Sequence, residues 1–406
     1  MRILGIESSA DESGVSMIEA HGDPIREQRA SNGAGFGADF SFKILGNAVA
    51  SQIATHTQYG GIFPSMAVRE HQKNFVPLLE TVLMEAKMAH AGSTPIDGID
   101  AILTRETELR AQLTPFLQTH VRPDLDAIAV TYGPGLEPTL WVGINFAKAL
   151  AHAWQLPLVA INHMEGHVIL SALAGEKDAI SKKIKFPLLS LLISGGHTEL
   201  VFSREWMQYK IIGQTRDDAV GEAFDKVARL LGLPYPGGPE ISRLAAEARQ
   251  QLSRRRLAKQ GDALISLPRP MIDSDNYDFS FAGLKTAVRR VVETSRPLTD
   301  EIKKVIALEF ENACSDVLVA KTMRAIEEYG AESILVGGGV SANTHIRESI
   351  ANAIKDYGYN TKLLIPPPEL ATDNALMIAL AGYFRAQKKE FAEPDSIRAN
   401  GNLKLA

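Results

Sequence analysis

Two stretches of this chain share one plan, and that repetition constrains the fold more than any other feature. The first begins with Ile3, Leu4 and Ile6, passes through Ser8-Ser9-Ala10-Asp11-Glu12-Ser13-Gly14, and resumes with Val15, Met17 and Ile18. The second begins with Leu188-Leu189-Ser190-Leu191-Leu192-Ile193, passes through Ser194-Gly195-Gly196-His197, and resumes with Thr198-Glu199-Leu200-Val201-Phe202. Each reads as apolar strand, tight Ser/Gly turn, strand. A unit of this kind at the start of each half points to a duplicated fold whose halves face each other across a cleft. Small polar turns offer backbone N–H groups and hydroxyls to phosphate, although a plain hairpin uses the same residues.

The remaining punctuation is that of an α/β chain. Ile128-Ala129-Val130-Thr131 reads as a strand, Gly133-Pro134-Gly135-Leu136 as a turn, and Thr139 to Trp154 as a helix. The order recurs at Ile334-Leu335-Val336, Gly337-Gly338-Gly339-Val340-Ser341-Ala342-Asn343, and a helix from Thr344. Glycine turns at strand ends are where α/β sheets collect ligands, and Asn343 is placed to bond a sugar hydroxyl. Asp217 or Asp218 is expected to cap the helix that carries Asp225 and Lys226. Pro236-Gly237-Gly238-Pro239 starts the next helix and lets backbone approach a ligand closely. A helix-start aspartate such as Asp373 is ordinarily an N-cap.

His163-Met164-Glu165-Gly166-His167 follows the apolar run Leu156 to Ile161. If the chain turns helical there, the two imidazoles share one face and can grip one divalent ion. Partly buried histidines bonded to backbone are the alternative that the pentapeptide leaves open.

Composition narrows the class. At 406 residues the chain has room for two or three domains. It has one cysteine, Cys314, which excludes an intrachain disulfide and a cysteine-rich zinc site. Cys314 continues the helical spacing of Ile306 and Phe310, so a packed role is expected. No apolar run reaches the roughly 18 residues that span a bilayer. The start, Met1-Arg2-Ile3-Leu4-Gly5-Ile6-Glu7, meets a carboxylate too early for a signal peptide, so a cytoplasmic location is expected. The net charge is -5, so an RNA-binding role would need a local basic patch or a basic partner. The strongest basic run is Arg254-Arg255-Arg256 with Lys259. Residues 390–406 are expected to be poorly ordered. The charged segment between Ile102 and Asp124 reads as a solvated helix inserted near a strand edge, and Arg69 and His71 as structural residues of a helix running to Leu83.

Together these motifs resemble one family. In order they are Gly-Ile-Glu-Ser-Ser-x-Asp-Glu-Ser-Gly from Gly5, Tyr-Gly-Gly from Tyr59, Gly-Pro-Gly-Leu from Gly133, His-Met-Glu-Gly-His from His163, Ser-Gly-Gly-His-Thr from Ser194, Gly-Glu-Ala-Phe-Asp-Lys from Gly221, Tyr-Pro-Gly-Gly-Pro from Tyr235, Phe-Ser-Phe-x-Gly-Leu-Lys-Thr from Phe279, Gly-Gly-Val-Ser-Ala-Asn from Gly338 and Thr-Asp-Asn from Thr372. The chain resembles the bacterial TsaD branch of the tRNA threonylcarbamoyladenosine-modifying proteins, relatives of the archaeal and eukaryotic Kae-type subunits. The resemblance covers residues 1–25 and 50–385, apart from insertions near 30–48, 102–123 and 248–262.

The resemblance implies a duplicated actin-like/sugar-kinase/heat-shock ATPase fold, ribonuclease-H-like in each of two lobes around a cleft. Its lobes would be 1–172 and 173–370, with 371–406 returning to the first as a helix and tail. It implies transfer of a threonylcarbamoyl group from threonylcarbamoyl-AMP to the exocyclic amine of the adenosine 3′ to the anticodon, in tRNAs reading ANN codons, with release of AMP. By position it implies His163, His167 and Asp373 as ligands of one divalent metal, iron or zinc. Ser9, Leu192, Ile193, Ser194, Gly195, Gly196, Asp225, Gly238 and Asn343 would hold the nucleotide, as ATP, AMP or threonylcarbamoyl-AMP. Asp11 and Glu12, on the phosphate-side turn, are the expected handlers of the amine proton. The implied partners are tRNA and either TsaB-like and TsaE-like proteins or a second copy, with no membrane. Three departures stand out. Ala10 replaces a frequent Cys, Ser65 and Val68 replace a usual Glu and Ser, and Leu192 stands where archaeal relatives place a tyrosine ligand.

A peptidase and a small-molecule kinase are the rival readings. In the zincin pattern the Glu directly follows the first His, whereas Glu165 is one place too late. Two imidazoles are unusual ligands for the magnesium a kinase needs.

Overall fold

The computed structural model describes residues 1–22, 40–173, 184–256 and 265–405, with the side chains of 253–256 left aside. The run Arg254-Arg255-Arg256 with Lys259, and the glycine-rich part of the 30–48 insertion, therefore lie outside what is described. The chain divides into two units. One comprises Met1–Ile184 with Thr372–Leu405, the other Lys185–Ala371.

The first unit is built on a five-stranded sheet ordered β3-β2-β1-β4-β5. Its strands are β1 (Arg2–Glu7), β2 (Glu12–His21), β3 (Ser41–Ser51), β4 (Ala127–Gly133) and β5 (Leu158–Asn162). β1 pairs antiparallel with β2 and β2 with β3, while β1–β4 and β4–β5 are parallel. Its longer helices before residue 184 are α1 (Pro64–Glu85), α2 (Thr107–Thr119), α3 (Glu137–Trp154) and α4 (His163–Leu173).

The second unit repeats this plan strand for strand. β6 (Leu188–Ile193), β7 (Thr198–Ser203), β8 (Lys210–Gln214), β9 (Ser333–Gly337) and β10 (Lys362–Leu364) form a sheet ordered β10-β9-β6-β7-β8. β6–β7 and β7–β8 are antiparallel, and β6–β9 and β9–β10 parallel. Its helices are α5 (Val220–Leu230), α6 (Gly237–Arg256), α7 (Ala282–Thr294), α8 (Asp300–Tyr329) and α9 (Thr344–Asp356). Two sheets with one order and one set of directions are the duplicated actin-like fold. The last helix, α10 (Ala375–Gln387), belongs to the first unit.

Alternation along β1 decides what covers each face of its sheet. Leu4 and Ile6 join Phe75, Leu79, Phe146 and Leu150 in a core with α1 and α3. Gly5 points the other way, toward α10. A Cβ at Gly5 would stand 2.5 Å from the Ala375 carbonyl oxygen and 2.6 Å from the Ala379 nitrogen. Gly382 of α10 meets the same face of the sheet, where a Cβ would stand 2.4 Å from the Ala129 Cβ. These two glycines bring the start of α10, and with it Asp373, against the sheet.

Three expectations are corrected. The charged segment after Ile102 is no solvated appendage: Leu109, Leu113, Phe116 and Leu117 of α2 are buried in the core with α1. Its apolar residues fall on one helical stripe, so burial of one face coexists with a charged sequence. Residues 390–405 are not loose. The Ala392 N–H donates to Leu158 at 2.9 Å and the Asn400 N–H to Tyr132 at 2.9 Å, while Ile397 and Leu405 are buried. Asp217 and Asp218 do not cap α5, whose N-cap is Ala219. Asp217 instead accepts from the N–H groups of Phe281 (2.8 Å) and Ala282 (3.2 Å) at the start of α7, and Asp218 pairs with Lys226. Cys314 is buried within α8, as its spacing required.

Candidate metal centre and phosphate-side turn

The chain turns from β5 into α4 at Asn162, whose Oδ1 accepts from the Met164 N–H at 2.9 Å and from the Glu165 N–H at 3.4 Å. This local cap starts the helix at His163, and the helical repeat puts His167 on the same face. The two rings meet edge to face, with centroids 4.8 Å apart.

Asp373 faces them because it is not the cap of α10. Asn374 takes that role, its Oδ1 accepting from the Met377 N–H at 3.2 Å. The Asp373 carboxylate is left free to approach both imidazoles. Its Oδ1 lies 3.1 Å from His167 Nε2 and 3.4 Å from His163 Nε2. One ligand atom from each of the three residues lies within 4.8 Å of the others. Two imidazole nitrogens and one carboxylate oxygen suit a divalent transition metal, and three protein donors leave coordination positions open. The donor set therefore fits one ion.

The residue that sequence reasoning missed is Glu7. Its carboxylate is fully buried. It accepts from the Ser9 N–H at 2.6 Å, from the Thr131 hydroxyl at 2.5 Å and from His163 Nδ1 at 3.2 Å. An acceptor at Nδ1 fixes the ring so that Nε2 faces Asp373, the orientation typical of a metal-ligating histidine. The signal was present as a lone carboxylate ending an otherwise apolar strand. Burial works against every charge in this cluster. The two carboxylates nonetheless hold His163 well above the usual histidine value, and His163 draws Glu7 and Asp373 below theirs.

Glu165 does other work. Arg385 of α10 grips its buried carboxylate through Nε at 2.9 Å and Nη2 at 2.8 Å. A carboxylate fixed to a guanidinium in this way is no base for a metal-bound water.

The turn Ser8 to Glu12 lies beside this cluster. It is pinned by the Leu136 N–H, which donates to Ser9 O at 2.7 Å, and by the Gln52 N–H, which donates to Asp11 O at 2.9 Å. His71, buried in α1, donates through Nε2 to Ala10 O at 3.0 Å and accepts from the Ser13 hydroxyl at 2.7 Å. Burial pushes its ring down to about 4. The hydroxyls of Ser8 and Ser9 and one Asp11 oxygen are buried with no partner among the described residues. Such orphans suit a polar ligand. Asp11 and Glu12 share a hydrogen bond. Burial, then the charges of Asp373 and Asp11, push Glu12 up to about 10, and burial likewise raises Asp11.

In the second unit Leu192 and Ile193 have no exposed surface, whereas Ser194 is half-buried and Gly195 and Gly196 are exposed. A Cβ at Gly195, Gly196 or Gly238 would meet nothing within 4 Å, so open space lies over all three. Gly221 of α5 and Gly338 after β9 both abut the end of β6. A Cβ there would stand 2.5 Å from the carbonyl oxygens of Ser194 and Ile193, respectively. Asp225 accepts from the Gly237 N–H at 2.7 Å. Asn343 is already employed. Its Oδ1 caps α9 and its Nδ2 donates to Ser242 and Glu311, each at 2.7 Å.

Among known proteins, the family profile described as TsaD, tRNA N6-adenosine threonylcarbamoyltransferase, matches residues 43–100 and 116–380. Three relatives carry that same name. One from Geobacillus kaustophilus is 38% identical over 99% of this chain and 96% of its own length. One from Enterococcus faecalis is 39% identical over 96% and 92%, and one from Bacillus cereus 40% over 94% and 90%.

Proposed function

This chain belongs to the TsaD family of tRNA N6-adenosine threonylcarbamoyltransferases, and from that premise we propose that it moves a threonylcarbamoyl group from threonylcarbamoyl-AMP to the exocyclic amine of the adenosine 3′ to the anticodon in tRNAs reading ANN codons. The observation that carries the reading is the convergence of His163, His167 and Asp373 beside a turn with orphaned hydroxyls.

The donor is already activated, so the protein needs positioning and charge neutralisation more than strong acid or base. A divalent ion at the His163–His167–Asp373 site, iron in our reading, would neutralise the adenylate phosphate or polarise the reacting carbonyl. Glu7 keeps His163 in the tautomer the site requires. Ser9 offers a hydroxyl, and Ser194, Gly195, Gly196 and Gly238 offer an open glycine-lined surface to the nucleotide. The amine nitrogen bonds to the carbamoyl carbon, the bond from that carbon to the phosphate oxygen breaks, and AMP leaves. In this reading the amine proton passes to the Asp11 carboxylate, which Glu12 holds by a hydrogen bond. The chain acts with TsaB-like and TsaE-like partners or as a pair of identical copies.

The test supplies tRNA, threonine, bicarbonate, ATP and an enzyme that makes threonylcarbamoyl-AMP, with and without partner proteins. Mass spectrometry of the digested tRNA should show threonylcarbamoyladenosine. Its absence in every combination overturns the reading.

A further inference from the structure

A second pocket lies in the first unit and uses none of the residues above. It is a half-open depression of about 390 Å³, lined by Thr104, Arg105, Trp141, Asn145 and Arg398, among others. That volume lies within the usual small-ligand range of roughly 300–1,000 Å³. Its walls come from three places: the segment after the short helical turn Ile99–Ile102, the exposed face of α3, and the C-terminal segment past α10. Residues 104, 105 and 398 fall outside those matched by the family profile.

The chemistry of the lining is specific. Arg105 and Arg398 are exposed, and neither makes an ion pair among the described residues. Two such guanidiniums line one mouth, with Lys148 nearby and the carboxylates of Glu106 and Asp395 close by. Trp141 is half-buried, and Lys148 lies over its ring at 5.6 Å. Lys148 is itself anchored, donating to Ile397 O at 3.2 Å. Asn145 is held by Nδ2 donating to buried Glu106 at 3.0 Å, which orients its amide. An indole face, an oriented amide and two fork-shaped cations match a flat heterocycle carrying a phosphate.

We propose that this pocket holds one unpaired nucleotide of the RNA substrate, with its base against Trp141 and its phosphate on Arg105 and Arg398. The inference rests on the reading that tRNA is the acceptor, and adds a grip separate from the adenosine that is modified. It also gives an acidic protein the local basic patch that RNA binding demands.

The chain has three tryptophans, and Trp154 and Trp206 are buried. Emission quenched by acrylamide therefore reports Trp141. Titration with a single-stranded heptaribonucleotide, and separately with unmodified tRNA, should quench this emission and protect it from acrylamide. Arg105→Gln with Arg398→Gln should weaken tRNA binding about tenfold and lower the salt dependence of log Kd by about 1. In the complete modification assay the KM for tRNA should rise while kcat stays within about twofold. Trp141→Ala should weaken binding of the heptaribonucleotide by about tenfold, as expected for one lost stacking contact. Both arginines are exposed, so the double variant is expected to fold, and circular dichroism confirms it. Unchanged Trp141 emission on RNA addition, or unchanged KM for tRNA in a folded double variant that still modifies tRNA, overturns the proposal while leaving the transferase reading intact. Quenching by an oligoglutamate peptide but not by RNA also overturns it. Failure of the wild-type chain to modify tRNA under any combination would remove the transferase reading itself.

Discussion

Acid should unfold this protein partly through His71, which the reaction does not use. The ring is fully buried and stacked on Phe75. It donates to Ala10 O, so its other nitrogen must stay unprotonated to accept from Ser13. Burial lowers its pKa from 6.5 to about 4. The unfolded chain therefore takes up a proton near pH 6.5 and the folded one only near pH 4. Between these values the unfolded state binds more protons, so stability rises with pH across the window and is lost as pH falls through it. At about 1.4 kcal/mol per pH unit the full effect is about 3 kcal/mol, of which about 2 kcal/mol is lost between pH 7 and pH 4.5. His71→Gln keeps an N–H for Ala10 O and cannot titrate. Urea unfolding followed by tryptophan emission, at pH 7 and pH 4.5, gives the comparison. The wild type should lose about 2 kcal/mol more than His71→Gln over that interval. Equal losses, or a larger loss in the variant, would refute the assignment of a neutral, buried His71.

Arg385→Ala strands the buried Glu165 carboxylate and should cost about 3–5 kcal/mol in urea unfolding; Glu165→Gln should keep most transferase activity, because Glu165 is no base. Glu7→Gln removes the carboxylate that orients His163 and should weaken metal affinity about 10–100-fold by competition with a chelator, whereas His167→Ala should leave too few ligands to retain an ion through dialysis. Gly5→Ala drives a Cβ into the backbone of α10 and should cost about 1–3 kcal/mol or more, with metal content by elemental analysis falling alongside stability as Asp373 is displaced.

Local patterns were legible where a single element answers to its own residues. The strand at Ile3–Ile6, the helix at Thr139–Trp154 and the buried place of Cys314 all follow from period and punctuation. Patterns failed where a side chain's partner lies far along the chain. Asp217 looks like the cap of the nearest helix, yet it caps one more than sixty residues on, because the start of α7 folds back to it. The tail looks polar and loose, yet backbone bonds to β4 and β5, which no side-chain pattern announces, hold it. The charge of α2 concealed a buried stripe, because composition averages over faces that packing separates.

The sequence by itself determined the duplicated strand–turn–strand plan and the pairing of His163 with His167, since both depend on spacing within one or two elements. The family motifs implied Asp373 as a third ligand from the far end of the chain. Only the tertiary structure decided how that carboxylate reaches the two imidazoles: Asn374 takes the cap, and Gly5 and Gly382 let α10 lie close against the sheet. Only the tertiary structure revealed Glu7 behind His163, across 156 residues. Spacing fixes directions within an element. Which carboxylate stands behind which ring is fixed by how closely backbones can approach, and here that is a matter of two missing Cβ atoms.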